Sequence, residues 1–245
     1  MADARILYLV PGPLSRARGQ EELNRRRDLL QSWAAPGVDV GIAENPTGPR
    51  SIESGWEEYL CVPGSFEVAA NAEAEGYDAM ILGCFGDPGL DGFREILTVP
   101  MVGPCEVGMH VACTLGHRFG IVTVLDSIVA PLHRLARIAG LDSRVASIVA
   151  VDVPVLELHG GSYDSVLEGC RTVMAAGADT IVLGCMSMAF LGVAEQLSEE
   201  LGVPVINPAR TALKSAELLL GSGLTHSKRA FPVPPKIAGG TAAVA

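Results

Sequence analysis

Apolar residues in this chain fall into short runs separated by longer stretches of mixed polarity, and the alternation is regular. Arg5 to Val10 is an aliphatic run that stops at Pro11-Gly12-Pro13, which predicts a strand followed by a loop. A polar stretch opening near Ser15 predicts a helix to about Trp33, and Val38 to Ala43 predicts a second strand. That strand ends in the Pro/Gly-rich segment from Glu44 to Ser54, long enough to imply that it covers something. A helix from about Phe66 to Glu75 then leads through Gly76-Tyr77-Asp78 into a strand ending at Cys84. Leu90 to Leu97 reads as a helix, Val99 to Val102 as a strand, and Glu106 to Leu115 as a helix.

The second half repeats this order. Phe119 to Val124 is a strand, Pro131 to Ala139 a helix with Gly140 at the position of a left-handed cap, and Ala146 to Val151 a strand. Ser162 to Ala176 is a helix that feeds a strand ending at Cys185, Leu191 to Leu201 is helical, and Thr211 to Leu220 forms the last helix. The Pro/Ala-rich tail from Gly223 is expected to be loosely held. The repeat extends to residue level. Met80-Ile81-Leu82-Gly83-Cys84 corresponds to Ile181-Val182-Leu183-Gly184-Cys185, and Gly76-Tyr77-Asp78 to Gly177-Ala178-Asp179. Val99-Pro100-Met101-Val102-Gly103-Pro104 returns as Val203-Pro204-Val205-Ile206-Asn207-Pro208.

Strands alternating with helices predict an α/β fold with mostly parallel sheets and right-handed crossovers. The duplicated order predicts two similar lobes related by a pseudo-twofold. Residues 1–103 with 209–245 would form the lobe carrying Cys84, and residues 104–208 the lobe carrying Cys185. Ligands of such sheets collect beyond the carboxyl ends of the strands. A cleft between the lobes would therefore receive both cysteines.

Composition narrows the choice of function. With 49% apolar and 19% charged residues in 245, the chain has ample material for a core. A net charge of −10 and the lack of a basic stripe argue against nucleic acid as a partner. The cluster Arg25-Arg26-Arg27, flanked by Glu21, Glu22 and Asp28, reads as a solvated helix face. No apolar run approaches the roughly 20 residues of a membrane span, and no leader sequence is visible. A cytoplasmic protein acting on a small molecule is the expectation, with its cysteines reduced. No Cys-x-x-Cys or His-Glu-x-x-His motif suggests a metal. The only lysines, Lys214, Lys228 and Lys236, all lie late in the chain and give pyridoxal chemistry little support.

The chemistry is carried by Cys84 and Cys185. A lone cysteine is more often a packing residue, but packing does not require the same register before a loop in both halves. Cys61, Cys105, Cys113 and Cys170 lack such counterparts and read as structural, although Cys105 also follows a strand end. A thiol with a pKa of about 8.5 can serve as acid or base near neutrality. Two of them on opposite faces of a carbon next to a carbonyl could remove and return its proton. The loops at Phe85-Gly86-Asp87 and Met186-Ser187-Met188 can offer free N–H groups, and Arg210 could meet a substrate carboxylate or form a surface ion pair.

The segments Gly83-Cys84-Phe85-Gly86-Asp87-Pro88-Gly89-Leu90-Asp91, Leu183-Gly184-Cys185 with Met188, and Asn45-Pro46-Thr47 with Ser51-Ile52-Glu53 resemble the aspartate/glutamate/hydantoin racemase superfamily. They are most similar to its hydantoin and allantoin racemase branch. The resemblance implies a cofactor-independent racemase or epimerase, assembled as a homo-oligomer, with Cys84 and Cys185 as the acid/base thiols. Substrate contacts are then expected from Pro11, Gly12, Asn45, Thr47, Phe85, Gly86, Met186, Ser187 and Arg210. The chain departs from the branch in three places. Val10-Pro11-Gly12-Pro13 replaces Asn-Pro-Asn-Ser/Thr, Met186-Ser187 is bulkier than the usual small residues, and Arg210 replaces a small or hydroxylic one. A decarboxylase or cis-trans isomerase using one cysteine, or a non-catalytic binder of small molecules, remains open on the residues alone.

Overall fold

The computed structural model describes residues 4–238. The first strand, β1 (Ala4–Val10), is buried from Ile6 onward on both faces, as expected of a parallel strand covered by helices. It is followed by α1 (Leu14–Arg18), α2 (Gln20–Trp33), β2 (Val38–Glu44), α3 (Gly55–Ala74), β3 (Ala79–Leu82), α4 (Leu90–Ile96), β4 (Met101–Val102) and α5 (Pro104–Leu115). The second half continues with β5 (Phe119–Thr123), α6 (Asp126–Ile138), β6 (Val145–Ala150), α7 (Tyr163–Ala175), β7 (Thr180–Leu183) and α8 (Met186–Ala189). The last elements are α9 (Ala194–Leu201), β8 (Val205–Ile206), α10 (Pro208–Gly221) and α11 (Pro235–Ala238).

Two four-stranded parallel sheets result, in the orders β2-β1-β3-β4 and β6-β5-β7-β8. The duplication extends to individual hydrogen bonds. Asp78 N donates to Arg5 O at 2.8 Å, and Asp179 N to Arg118 O at 2.9 Å. Met80 N bonds Pro100 O at 2.8 Å, and Ile181 N bonds Pro204 O at 2.9 Å. Each of these strands is entered through a glycine with positive φ, 85° at Gly76 and 96° at Gly177.

The core lies largely between the sheets. Ile6, Tyr8, Ile81 and Val102 from the first sheet and Ile121, Val182 and Ile206 from the second belong to one buried cluster, with α2, α5, α6 and α10. The connections cross over. α5 leaves the first sheet and packs on β5 and β7, whereas α10 leaves the second and packs on β1, β3 and β4. These two helices also pack on each other.

The sequence expectations need correction in three places. α3 begins at Gly55, not near Phe66. Ser54 caps it by accepting from Glu57 N, and Glu57 reaches back to Glu53 N. Pro63 lies inside this helix, and its missing N–H is the feature that hides the helix from a sequence reading. α6 likewise starts at Asp126, with Pro131 inside it. The tail, expected to be loose, is tied down through its first residues: Thr225 donates to Thr98 O, and His226 accepts from Met101 N. Lys228 Nζ donates to the carbonyls of Arg94, Glu95 and Leu97 at 2.6–3.0 Å. It thereby serves the unpaired C-terminal carbonyls of α4, where a cation is favoured. Residues 239–245, the end of that tail, lie outside the described residues.

Two stability measurements test these contacts. A Cβ added at Gly83 would lie 2.5 Å from Leu9 O and 3.0 Å from a ring carbon of Tyr8, both held in β1. Gly83→Ala is expected to cost about 1–3 kcal/mol, read as a lower urea midpoint at unchanged slope. Lys228→Met is expected to cost about 0.5–1 kcal/mol through the α4 carbonyls. Unchanged midpoints would contradict these assignments.

Candidate active site

Each cysteine leaves its sheet at the same point. Gly83 N donates to Leu9 O at 2.7 Å and Gly184 N to Val122 O at 2.7 Å, one residue beyond the regular ladder of β3 and of β7. Both positions must be glycine, because a Cβ at Gly184 would meet Ile121 at 2.6 Å and Val122 O at 3.0 Å. Thr123 Oγ1 donates to Gly184 O at 3.1 Å and holds that turn to β5. The next residue in each case is the cysteine, beyond the carboxyl edge of its sheet.

Cys84 and Cys185 line the same cleft, a space of about 720 Å³ with its open mouth included. Pro11, Gly12, Phe85, Gly86, Met186 and Ser187 line it with them. Apolar walls come from Val10, Leu14, Val124, Ile128 and Val155. Pro49, Arg50, Ser51 and Ile52 line it from the Pro/Gly-rich loop. Glu53 anchors that loop to the opposite half, its carbonyl accepting from Ser127 Oγ and its carboxylate from Val155 N. All six cysteines are free thiols, and Cys105, which sequence left open, is buried in the core between the sheets.

Three residues expected to bind substrate lie elsewhere. Asn45 is 0% exposed, with its amide spent inside the protein: Nδ2 donates to Cys61 O, and Oδ1 accepts from the backbone and hydroxyl of Thr47. Asn45 and Thr47 therefore shape the covering loop without lining the cleft. Arg210 lies in the first turn of α10, whose N-cap Asn207 accepts from Ala209 N and Arg210 N. This start directs its side chain to Glu195, 2.9 Å away on the exposed surface. The reading in which Arg210 holds a carboxylate loses that residue.

Arg26 is a residue that sequence reasoning missed. Assigned there to a solvated face, it is 4% exposed and lines the cleft. Its Nε donates to Glu22 at 2.8 Å, its Nη2 donates to Ser187 Oγ at 3.2 Å, and its guanidinium lies 4.8 Å from the Phe190 ring centroid. The available signal was helical spacing, since Leu23, Arg26 and Leu30 share the buried stripe of α2. Glu58 of α3 was also missed; it lines the cleft beside Gly86.

Electrostatics distinguish the two thiols. Burial raises both above the ordinary thiol value. At Cys84 the neighbouring Cys61, Glu58 and Cys185 add to the rise, and only the Gly86 amide opposes it among the main influences. At Cys185 the amides of Met188 and Ser187, the charge of Arg26 and the Ser187 hydroxyl all oppose it. Asp87, just beyond Cys84, accepts from Cys105 N at 3.1 Å and Glu106 N at 2.9 Å at the start of α5. Burial pushes its pKa up to about 8, against the pull of those amides. Among the described residues no group of three His, Cys, Asp or Glu could hold a metal ion, and no helix is long and apolar enough to cross a membrane.

A duplicated parallel α/β fold with one thiol from each half at a shared cleft is the architecture that known proteins must match. The sequence profile of the Asp/Glu/hydantoin racemase family matches residues 23–216. The hydantoin racemase of Paenarthrobacter aurescens is 37% identical over 207 residues, 82% of this chain and 86% of that protein. The allantoin racemase structure from Klebsiella pneumoniae superposes with a TM-score of 0.87 at 32% identity, covering 95% of this chain and 94% of the other. The allantoin racemase of Pseudomonas fluorescens gives 0.82 at 30% identity, covering 94% and 97%. The chain belongs to the Asp/Glu/hydantoin racemase family and is an isomerase.

Arg26, which borders the cleft, has a pH signature through its carboxylate partner Glu22. Burial alone would raise Glu22, but hydrogen bonds from Arg25 and Arg26 outweigh it and hold the pKa at about 2. A depressed carboxylate contributes stability that is present above its unfolded value near 4.5 and lost as pH falls through about 2. Glu22→Gln is expected to remove this part of the acid-side slope, measured by chemical denaturation across that window. An identical slope in the variant would show that the Glu22 pair does not contribute.

Proposed function

We propose that this protein racemises a cyclic amide of the hydantoin or allantoin kind, with Cys84 and Cys185 as its acid/base pair and no cofactor. The observation that carries the reading is that two thiols, delivered by equivalent strand ends of the two halves, border one cleft. The relatives named hydantoin and allantoin racemase support the substrate class.

The reacting carbon lies between an amide nitrogen and a carbonyl. One cysteine thiolate takes its proton, and the C–H electron pair moves into the carbonyl to give an enolate. The thiol on the other face then donates its proton to that carbon. The configuration inverts, and thiol and thiolate have exchanged roles, so atoms and charge balance. The loop amides beside the cysteines can stabilise the developing oxyanion, and the apolar walls keep water from competing for the carbanion.

Racemisation of 5-substituted hydantoins and allantoin in heavy water, followed by optical rotation and by deuterium at the reacting carbon, tests this. Wild type is expected to invert with incorporation of solvent deuterium. Cys84→Ser and Cys185→Ser are each expected to lose racemisation by at least roughly a hundredfold. Full racemisation by either single variant would refute the two-thiol mechanism.

A further inference from the structure

The first turn of α3 carries two adjacent acids, and only one of them is spent inside the protein. Glu57 accepts from Glu53 N at 2.7 Å and from Ser54 Oγ at 2.9 Å, and so completes the helix start. Among the described residues no hydrogen bond or close ion pair engages the carboxylate of Glu58. We propose that Glu58 determines specificity in the cleft by accepting an N–H of the substrate ring on the Cys84 side. The proposal deepens the cyclic-amide reading above and rests on it.

Gly86 gives the carboxylate its place. A Cβ there would lie 2.3 Å from Glu58 Oε1 and 3.8 Å from the Cys84 sulfur, so acid and thiol border one spot. That spot opens on the cleft, which Glu58, Gly86 and Cys84 all line. A ring whose reacting carbon meets Cys84 therefore brings an N–H of the same ring within reach of Glu58. Burial pushes the Glu58 carboxyl above its usual range, and Arg134 of α6 opposes the rise. The role does not depend on that balance, because a carboxyl group offers an accepting oxygen in either protonation state.

The other charges of the cleft favour a neutral ring over an anion. Among the described residues, those lining it are Arg26, Arg50 and Glu58. Arg26 is engaged by Glu22 and Ser187, and Arg50 is exposed and donates to Ala17 O. A substrate carboxylate beside Cys84 would face Glu58, and like charges brought together are a means of rejecting a ligand. An amide N–H meets the same oxygen favourably. One side chain thus separates cyclic amides from dicarboxylic substrates.

The test compares rings that differ by one N–H. Racemisation of a 5-alkylhydantoin and of its N1-methyl and N3-methyl derivatives is measured in wild type, Glu58→Gln and Glu58→Ala. Wild type is expected to reject one of the methylated rings by at least about tenfold in kcat/KM. Glu58→Ala is expected to lose a similar factor on the parent ring, mostly through a higher KM, and to take that methylated ring nearly as well as the parent. Glu58→Gln, which keeps an accepting oxygen without the charge, is expected to fall between them. An acid needed only for the start of α3, or only for the state of Cys84, would lower all three rings alike. A uniform loss, or wild-type selectivity in Glu58→Ala, would overturn the assignment while racemisation stands. Calorimetry of the same rings reads binding without turnover. Binding that depends on Glu58 and on one N–H upholds the assignment even if nothing is racemised, and then only the functional reading falls. Glu58-dependent binding of free amino acids in place of the rings would overturn it.

Discussion

Two backbone hydrogen bonds of equal length, Gly83 N to Leu9 O and Gly184 N to Val122 O, set the positions on which the cleft depends. Each extends a parallel ladder by one step and then releases the chain, so that the following cysteine projects beyond the sheet. The approach is so close that no side chain fits at either glycine. Because the sheets carry the same strand order, the same local event occurs twice and the two thiols meet at one space. The cross-packing of α5 and α10 holds the halves in that relation.

Backbone symmetry does not extend to the helix starts beneath the cleft. α10 is capped by its own Asn207, whereas α5 starts after Gly103 and borrows Asp87 from the Cys84 loop. Gly103 must lack a side chain for this, since a Cβ there would lie 2.5 Å from the Asp87 carboxylate. The Cys84 loop is thus tied to α5 through a buried carboxyl group. The Cys185 loop is tied instead to α2 through Ser187 and Arg26.

Much of the fold was legible in the sequence because parallel strands are short, apolar on both faces and punctuated by glycine. The repeated Gly-Cys pair was visible for the same reason. Helix starts were less legible. α3 and α6 carry prolines inside them, and whether such a helix continues depends on the packing and capping around it. The role of Asn45 also escaped, since an amide in a loop reads as available to a ligand until its partners, Cys61 O and Thr47, are seen.

The sequence by itself determined the alternation of strand and helix, the duplication, and the placement of one thiol at an equivalent strand end in each half. These follow from local patterns whose meaning does not depend on distant residues. Only the tertiary structure decided that Arg26 turns inward to Ser187, that Arg210 turns outward to Glu195, and that Lys228 fastens the tail to α4. A charged side chain carries no mark of its partner along the chain. Its burial and its charge effect arise only when elements far apart in sequence pack together.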